Sequence, residues 1–201
     1  NVGACLINIF INRALLDYGG VAAIAASGIF VTYTSMLCCI ILGICQGMQP
    51  IVGFNYGCQR YNRVERTFWL AVCAATTVSF VGWLAGLTIP HLIARAFVSD
   101  QSLVDFTAKA LSTAMLCFWM VGFQIVATTY FQSIGKISLS IFLSLTRQIL
   151  FFLPLLYILP HFFGLNGVWS TFYASDICAT VVTIILIAHA FRRLHRASRQ
   201  V

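Results

Sequence analysis

Charge is what this sequence has least of. Asp, Glu, Lys and Arg make up 8% of its 201 residues, and only five residues are acidic. A soluble domain usually carries about 25% charged residues. A fully water-facing surface is therefore excluded, whereas a bilayer removes the need for one because lipid solvates the outside. Catalytic signatures are missing too: there is no nucleophile elbow and no phosphate loop. We therefore expect no enzyme activity. No Cys-x-x-Cys pair occurs among Cys5, Cys38, Cys39, Cys45, Cys58, Cys73, Cys117 and Cys178, and no His stands at zinc-ligand spacing from them. These thiols read as small buried hydrophobes, and no metal or cofactor is expected. His91, His161, His189 and His195 fall near the ends of apolar runs, where interfacial water accounts for them. An initial Met and a basic stretch before the first apolar run are absent, so no cleavable signal is visible and the start reads as a truncation.

What is present is apolar length. Hydrophobic residues make up 60% of the chain and the mean hydropathy is +0.92. A membrane-crossing helix needs about 20 mostly apolar residues. The pattern predicts an all-α membrane protein, one lobe over 1–201 built as a bundle of about six spanning helices. The expected spans are 1–16 (too short to be complete), 21–47, 67–89, 105–131, 138–159 and 167–191. Breakers separate them: Asp17-Tyr18-Gly19-Gly20, Gln49-Pro50 with Gly53, Gly135, and Pro160 with Gly164. The stretch from Pro90 to Leu103 is longer, and its Ile93, Ala96 and Phe97 suit an interfacial amphipathic turn.

The net charge of +7 sits in clusters between the apolar runs, which argues for membrane topology and against nucleic acid. Arg60, Arg63, Arg66, Lys136, Arg192, Arg193, Arg196 and Arg199 fall on one side of an alternating six-span count. Arg13, Arg95 and Lys109 fall on the other. The richer side is expected to be cytoplasmic, with the C-terminus inside a plasma membrane.

Several polar residues lie inside the apolar runs. Asn8 and Asn12 share a helix face, either as glue between helices or as a cavity wall. Gly28, Thr32, Ser35, Cys39, Gly43 and Gly47 form a small-residue stripe that predicts close helix packing. Tyr33 and Met36 fall off that stripe and are expected to face either lipid or a cavity, lipid being favoured. Thr113, Met120, Gln124 and Thr128 are expected along one face, beside Phe118 and Trp119. Met, aromatics and one amide suit a site for flat lipophilic compounds. The candidate substrate-binding set is Asn8, Asn12, Trp119, Met120 and Gln124. Arg147 and Asp176 are ionisable at membrane depth, which points to function or to mutual pairing. Helix rise places them at nearly the same depth on consecutive spans, so an ion pair is predicted. Pro154 is expected to bend the fifth span and free a carbonyl.

The stretch Gly47-Met48-Gln49-Pro50-Ile51-Val52-Gly53-Phe54-Asn55-Tyr56-Gly57, followed by Arg60-Tyr61, Arg63-Val64 and Arg66, resembles a cytoplasmic loop of multidrug and toxin extrusion transporters. Tyr130-Phe131-Gln132-Ser133-Ile134-Gly135-Lys136 resembles a second stretch of that family. Arg147-Gln148 with Pro154, then Gly164-Leu165-Asn166-Gly167-Val168-Trp169 and Asp176, resembles a third. The resemblance covers nearly the whole chain. It implies the C-terminal six-helix lobe of a two-lobe antiporter, driven by sodium ions or protons, that exports organic and often cationic compounds. The partner lobe is absent from this sequence. It also implies that Gln49, Pro50, Gly53, Asn55, Tyr56, Gly57, Arg60 and Arg63 belong to a structural loop. No carboxylate sits mid-membrane in the fourth span, where some family members place one; Asp105 is at its outer end. Two other readings stand beside this one: a flippase for lipid-linked precursors, and a non-transporting scaffold.

Overall fold

The computed structural model describes residues 2–198. Their order is α1 Val2–Gly57, α2 Tyr61–Thr88, α3 Pro90–Phe97, α4 Gln101–Ala114, a 3-10 turn Phe118–Met120, α5 Val121–Ser133, α6 Ile137–Leu145, a π-helical segment Thr146–Phe152, α7 Leu153–Phe163 and α8 Leu165–Ser198. No strand occurs among the described residues. The chain is an all-α membrane protein. Four helices among the described residues are long and apolar enough to cross a bilayer, and the bent pair α4–α5 makes a fifth. Leu70, Leu92 and Ile185 point outward, each more than half exposed. Lipid solvates such a surface without the cost that water exacts.

Helix α1 holds two consecutive helices. Its 56 residues would run about 84 Å, far beyond a hydrocarbon core of about 30 Å. Gly20 breaks it, with φ 66° and ψ −161°, a conformation that a side chain disfavours. The first expected boundary, Asp17–Gly20, thus falls at a real break. The next one does not. Pro50 lies inside α1, which continues to Gly57, and the turn is Cys58–Arg60. Residues 47–57 are therefore the last turns of a helix, and Arg63 and Arg66 stand on the first turns of α2. A proline is tolerated there because neighbouring helices in a membrane bundle can satisfy the freed backbone groups.

That helix end is closed by two hydrogen bonds. The Gln59 N–H donates to Tyr56 O at 3.1 Å and the Arg60 N–H to Asn55 O at 2.9 Å. This is a Schellman closure with Gln59 at φ 56°. Gly135 closes α5 the same way, with bonds from Gly135 to Gln132 and from Lys136 to Phe131. Gln at a left-handed position is strained where Gly is not. Gln59→Gly should therefore stabilise the protein by about 1 kcal/mol, read as a higher thermal midpoint in detergent. An unchanged or lower midpoint would contradict this turn.

The small-residue stripe of α1 does not pack. Gly28, Thr32, Ser35, Cys39, Gly43 and Gly47 are all exposed, and a Cβ added at Gly28, Gly43 or Gly47 meets nothing within 4 Å. The face that α1 buries is instead Ala26, Phe30, Ile41, Cys45, Met48 and Val52. The close-packed small residues lie on α2, at Ala71, Ala75, Ser79, Gly82 and Gly86. Tyr33 does not face lipid: its hydroxyl donates to Gly82 O at 2.9 Å. Met36 is 61% exposed. Of the thiols, Cys45 is buried, but Cys39, Cys58 and Cys73 lie on outward faces.

The fourth expected span is broken. Helix α4 stops at Ala114, and the α4–α5 pair is bent by 53°. No Gly or Pro marks the break in sequence; α2 supports it from outside. The Trp83 indole N–H donates to Leu116 O at 3.0 Å, which satisfies a carbonyl the helix has released. Gly122, just past the break, lies against α2, where a Cβ would come 2.6 Å from Ala75 O. In the fifth span, Pro154 is the second residue of α7, just past the π segment. Without an N–H it cannot complete the α-helical ladder, and a wider turn accommodates its ring. Between spans, α3 buries Ala94, half-buries Ile93 and leaves Ala96 and Phe97 exposed. The last helix continues past the expected Phe191 to Ser198. Asn1 and Arg199 lie outside the described residues.

Two hydrophobic clusters hold the bundle. One, at the end carrying Arg60–Arg66, gathers Met48, Val52, Val64, Phe68, Tyr130, Phe131 and Phe191. The other gathers Leu15, Phe30, Leu111, Met115, Phe118, Val168 and Trp169.

Candidate functional site

Polar side chains between the two clusters line two partly open cavities that share one wall. The first is about 240 Å³ and is lined by Asn8, Phe30, Cys38, Phe118, Arg147, Gln148, Phe152, Phe172, Ser175 and Asp176, among others. The second is about 220 Å³ and is lined by Gln124, Thr128, Thr129, Gln132, Ser144, Arg147, Gln148 and Thr183 among others. Arg147 and Gln148 belong to both. They stand in the π segment Thr146–Phe152. π-Helical turns recur at functional sites because they redirect side chains that a regular helix would aim elsewhere.

The first cavity joins two charges to an aromatic wall. The Phe30 and Phe172 rings meet edge to face at 4.8 Å, and Phe152 meets Phe172 at 5.2 Å. Arg147 and Asp176 face the same space and interact electrostatically. No salt bridge within 4.0 Å joins them in this conformation; the bridge recorded among the described residues is His91–Asp105, at 3.6 Å on the surface. The predicted partners are thus brought to one cavity but not into direct contact.

Gln124 is the organiser of the second cavity. It is 4% exposed, and its Nε2 donates to Asp176 O at 2.9 Å and Thr180 Oγ1 at 2.6 Å. The Thr180 hydroxyl in turn donates to Asp176 O at 2.7 Å. These bonds tie α5 to the turn of α8 that carries Asp176. The other amide atom, Gln124 Oε1, is buried and has no hydrogen-bond partner.

The remaining candidates separate. Asn8 lines the first cavity, but Asn12, one turn along, lies exposed outside both. Trp119 is exposed and Met120 half-buried at the 3-10 turn, and neither lines either cavity. The single face expected for Thr113, Met120, Gln124 and Thr128 is split by the break, which turns α4 away from α5. Only Gln124 and Thr128 share a cavity. Reasoning from sequence missed Gln148 and the phenylalanine wall. The signal for Gln148 was present: it is the neighbour of a mid-span Arg, six residues before Pro154.

The motif at the end of α1 makes packing and capping contacts. Asn55 is buried, and its Nδ2 donates to Ile51 O at 2.8 Å. Tyr56 packs against Tyr61 at 5.9 Å. A Cβ at Gly53 would lie 3.3 Å from Ser133 O, so Gly53 lets α1 and α5 meet. Gln49 is half-buried, while Pro50, Gly57, Arg60 and Arg63 are exposed. The first two stretches singled out in the sequence thus touch each other.

The bundle is an apolar multi-pass membrane fold with charged groups lining a cavity. Residues 2–158 match the MatE family, and the chain belongs to it. It is 26% identical over 177 residues to the multidrug export protein MepA of Staphylococcus aureus (strain bovine RF122 / ET3-1), covering 88% of this chain and 39% of that protein. MepA of Staphylococcus saprophyticus is 24% identical over the same shares. A solved structure of the MATE multidrug transporter DinF-BH is 34% identical, with a TM-score of 0.81. It covers 94% of this chain and 42% of that one. A crystal structure of MATE in complex with MaL6, at 20% identity, shares the fold with a TM-score of 0.90, covering 97% of this chain and 44% of that one. The chain therefore spans about two fifths of the length of the relatives it matches.

Proposed function

We propose that this chain is the C-terminal lobe of a cation-coupled multidrug antiporter. The observation that carries the reading is the first cavity: an aromatic wall beside one carboxylate and one guanidinium, inside an apolar bundle. The phenylalanines give a flat organic compound a stacking surface. Asp176 attracts a cationic group, and Asn8, Gln148 and Ser175 orient it. The relatives' names, multidrug export protein and multidrug transporter, support export of organic compounds. Alternating access works by one helical bundle rocking against another around a midplane site. The exposed small-residue face of α1, from Gly28 to Gly47, suits such a second bundle because it lets backbones approach. The coupling ion is sodium or a proton, and the substrates are organic compounds, many of them cationic.

The test is export from vesicles. The 201-residue chain is reconstituted alone and joined to a second six-helix lobe, and ion-driven efflux of a cationic dye is followed. Efflux is expected only with both lobes. Robust export by the monomeric chain alone would defeat the two-lobe reading.

The membrane is a plasma membrane, with the basic end of the bundle cytoplasmic. The support is the eight-to-three split of Lys and Arg between the two sides. Single cysteines at 63 and 99 on a cysteine-free background test it. A membrane-impermeant maleimide applied to intact cells should label position 99 and spare 63. Labelling at 63 would reverse the topology.

A further inference from the structure

We propose that Arg147 is an internal cation with two seats, one at Asp176 in the first cavity and one at Gln124 Oε1 in the second. A small monovalent cation, sodium or a proton, drives it from the first seat to the second. The inference rests on the coupled-antiport reading and deepens it by placing an ion site in this lobe.

Three observations converge. Arg147 lines both cavities, so its side chain can serve either. Its guanidinium N–H donors make no salt bridge to Asp176 within 4.0 Å in this conformation, although the two charges share a cavity. Across the shared wall, Gln124 Oε1 is an acceptor with no donor, on a side chain 4% exposed. A buried amide oxygen without a partner is costly, and the Arg147 guanidinium, on the same cavity's lining, carries donors of the kind that would satisfy it.

Charge balance sets the direction of exchange. A positive charge near the Asp176 carboxylate stabilises it in a low-dielectric bundle, so Arg147 and an entering cation compete for the same place. When a cation occupies Asp176, the guanidinium is repelled and released. The second cavity receives it with Gln124 Oε1 and the hydroxyls of Thr128, Thr129 and Ser144. The long Arg stem makes such a swing feasible, since it can carry its head toward a polar region while remaining rooted in an apolar one. When the cation leaves, Arg147 returns. The titratable groups that face Asp176 are few: Cys38 from α1, Cys117 from the break after α4, and Arg147 itself. Among the described residues, Arg147 is the one positive charge in this set.

The experiment uses the full-length transporter in lipid nanodiscs. Bound ²²Na⁺ is counted per protein, and proton release on cation addition is read with a pH indicator. Asp176→Asn should remove one site, seen as sodium if sodium couples and as a proton if protons do. Removal of neither would overturn the proposal. Arg147→Ala deletes the internal competitor, and the site should bind its cation about tenfold tighter. Gln124→Met deletes the second seat while keeping length, and the affinity should fall about threefold or more. Monodisperse elution confirms folding, and Arg147→Gln serves if the alanine variant fails that check. If Asp176→Asn removes the site but the Arg147 and Gln124 variants leave its affinity unchanged, there is an ion site without an exchange, and the proposal fails. Exchange that persists while dye export is insensitive to every cation would instead sink the coupled-antiport reading and leave the two seats intact.

Discussion

Replacing Gly122 with alanine is expected to cost the protein about 2 kcal/mol of stability, and more if the backbone cannot shift, while the same change at Gly43 should cost nothing. The contrast comes from what each new methyl meets. At Gly122 the Cβ would stand 2.6 Å from Ala75 O and 2.8 Å from Ala75 C. Both atoms are backbone of α2, which cannot rotate aside as a side chain can. Helix α2 is held on the same side by Ala71, Ser79, Gly82 and Gly86, all buried. The strain would fall on the first turn of α5, two residues before Gln124, and would displace the amide that ties α5 to α8. At Gly43 a Cβ meets nothing within 4 Å. Alanine there gains helix propensity of up to about 1 kcal/mol. Thermal unfolding of the two variants in the same detergent measures the difference. Equal midpoints for Gly122→Ala and Gly43→Ala would mean that α2 and α5 do not approach as described.

That contrast also marks what the sequence made legible. Apolar length and sparse charge identified the class, because a bilayer asks little more of an outer surface than hydrophobicity. Gly20, Gly135 and Gly164 mark real breaks because each has positive φ. The small-residue stripe on α1 was a misreading of a true signal. Small residues at helical spacing say that something approaches closely, but not whether it lies within the same chain. The tight face was the less regular run on α2, where alanine and serine stand in for glycine. The break between α4 and α5 left no trace in sequence, since its cause is tertiary: Trp83, 33 positions away, satisfies Leu116 O. Trp119 and Met120 were drawn toward a binding face by continuing the α4 period through that break.

The site was half legible. Charges inside a span are conspicuous against an apolar background, so Arg147 and Asp176 stood out, and Gln124 did so as a deep amide. Their spatial relation depended on two things that periodicity does not reveal. The π segment turns Arg147 and Gln148 into a position between two cavities. The break after Ala114 then sets the angle at which α5 brings Gln124 to α8. The candidate site is therefore a three-helix junction of α5, the π segment and α8, where a two-helix ion pair was expected.

The strongest test of that junction is a charge-removal cycle. Arg147→Met alone should be the more destabilising single change, because it removes the positive charge that shares the first cavity with Asp176. Asp176 would then face the first cavity with no positive group among its titratable neighbours within the described residues, which are the thiols of Cys38 and Cys117. Asp176→Leu alone leaves Arg147 with the second cavity as its refuge, where Gln124 Oε1 and several hydroxyls can receive it. Its cost should therefore be smaller, about 1–3 kcal/mol. This asymmetry separates the two-cavity arrangement from a simple ion pair, in which either single loss would strand the other charge equally. Arg147→Met with Asp176→Leu should recover most of the folded yield, because matched apolar side chains can replace a charge pair inside a bundle. Folded yield after size exclusion and thermal midpoint, both in buffer free of sodium and at fixed pH, give the four corners of the cycle. A double variant no better than the Arg147→Met variant would show that the two charges do not compensate each other. A double variant that recovers its yield but exports no dye separates the two roles: the fold then tolerates the loss of both charges, and transport does not.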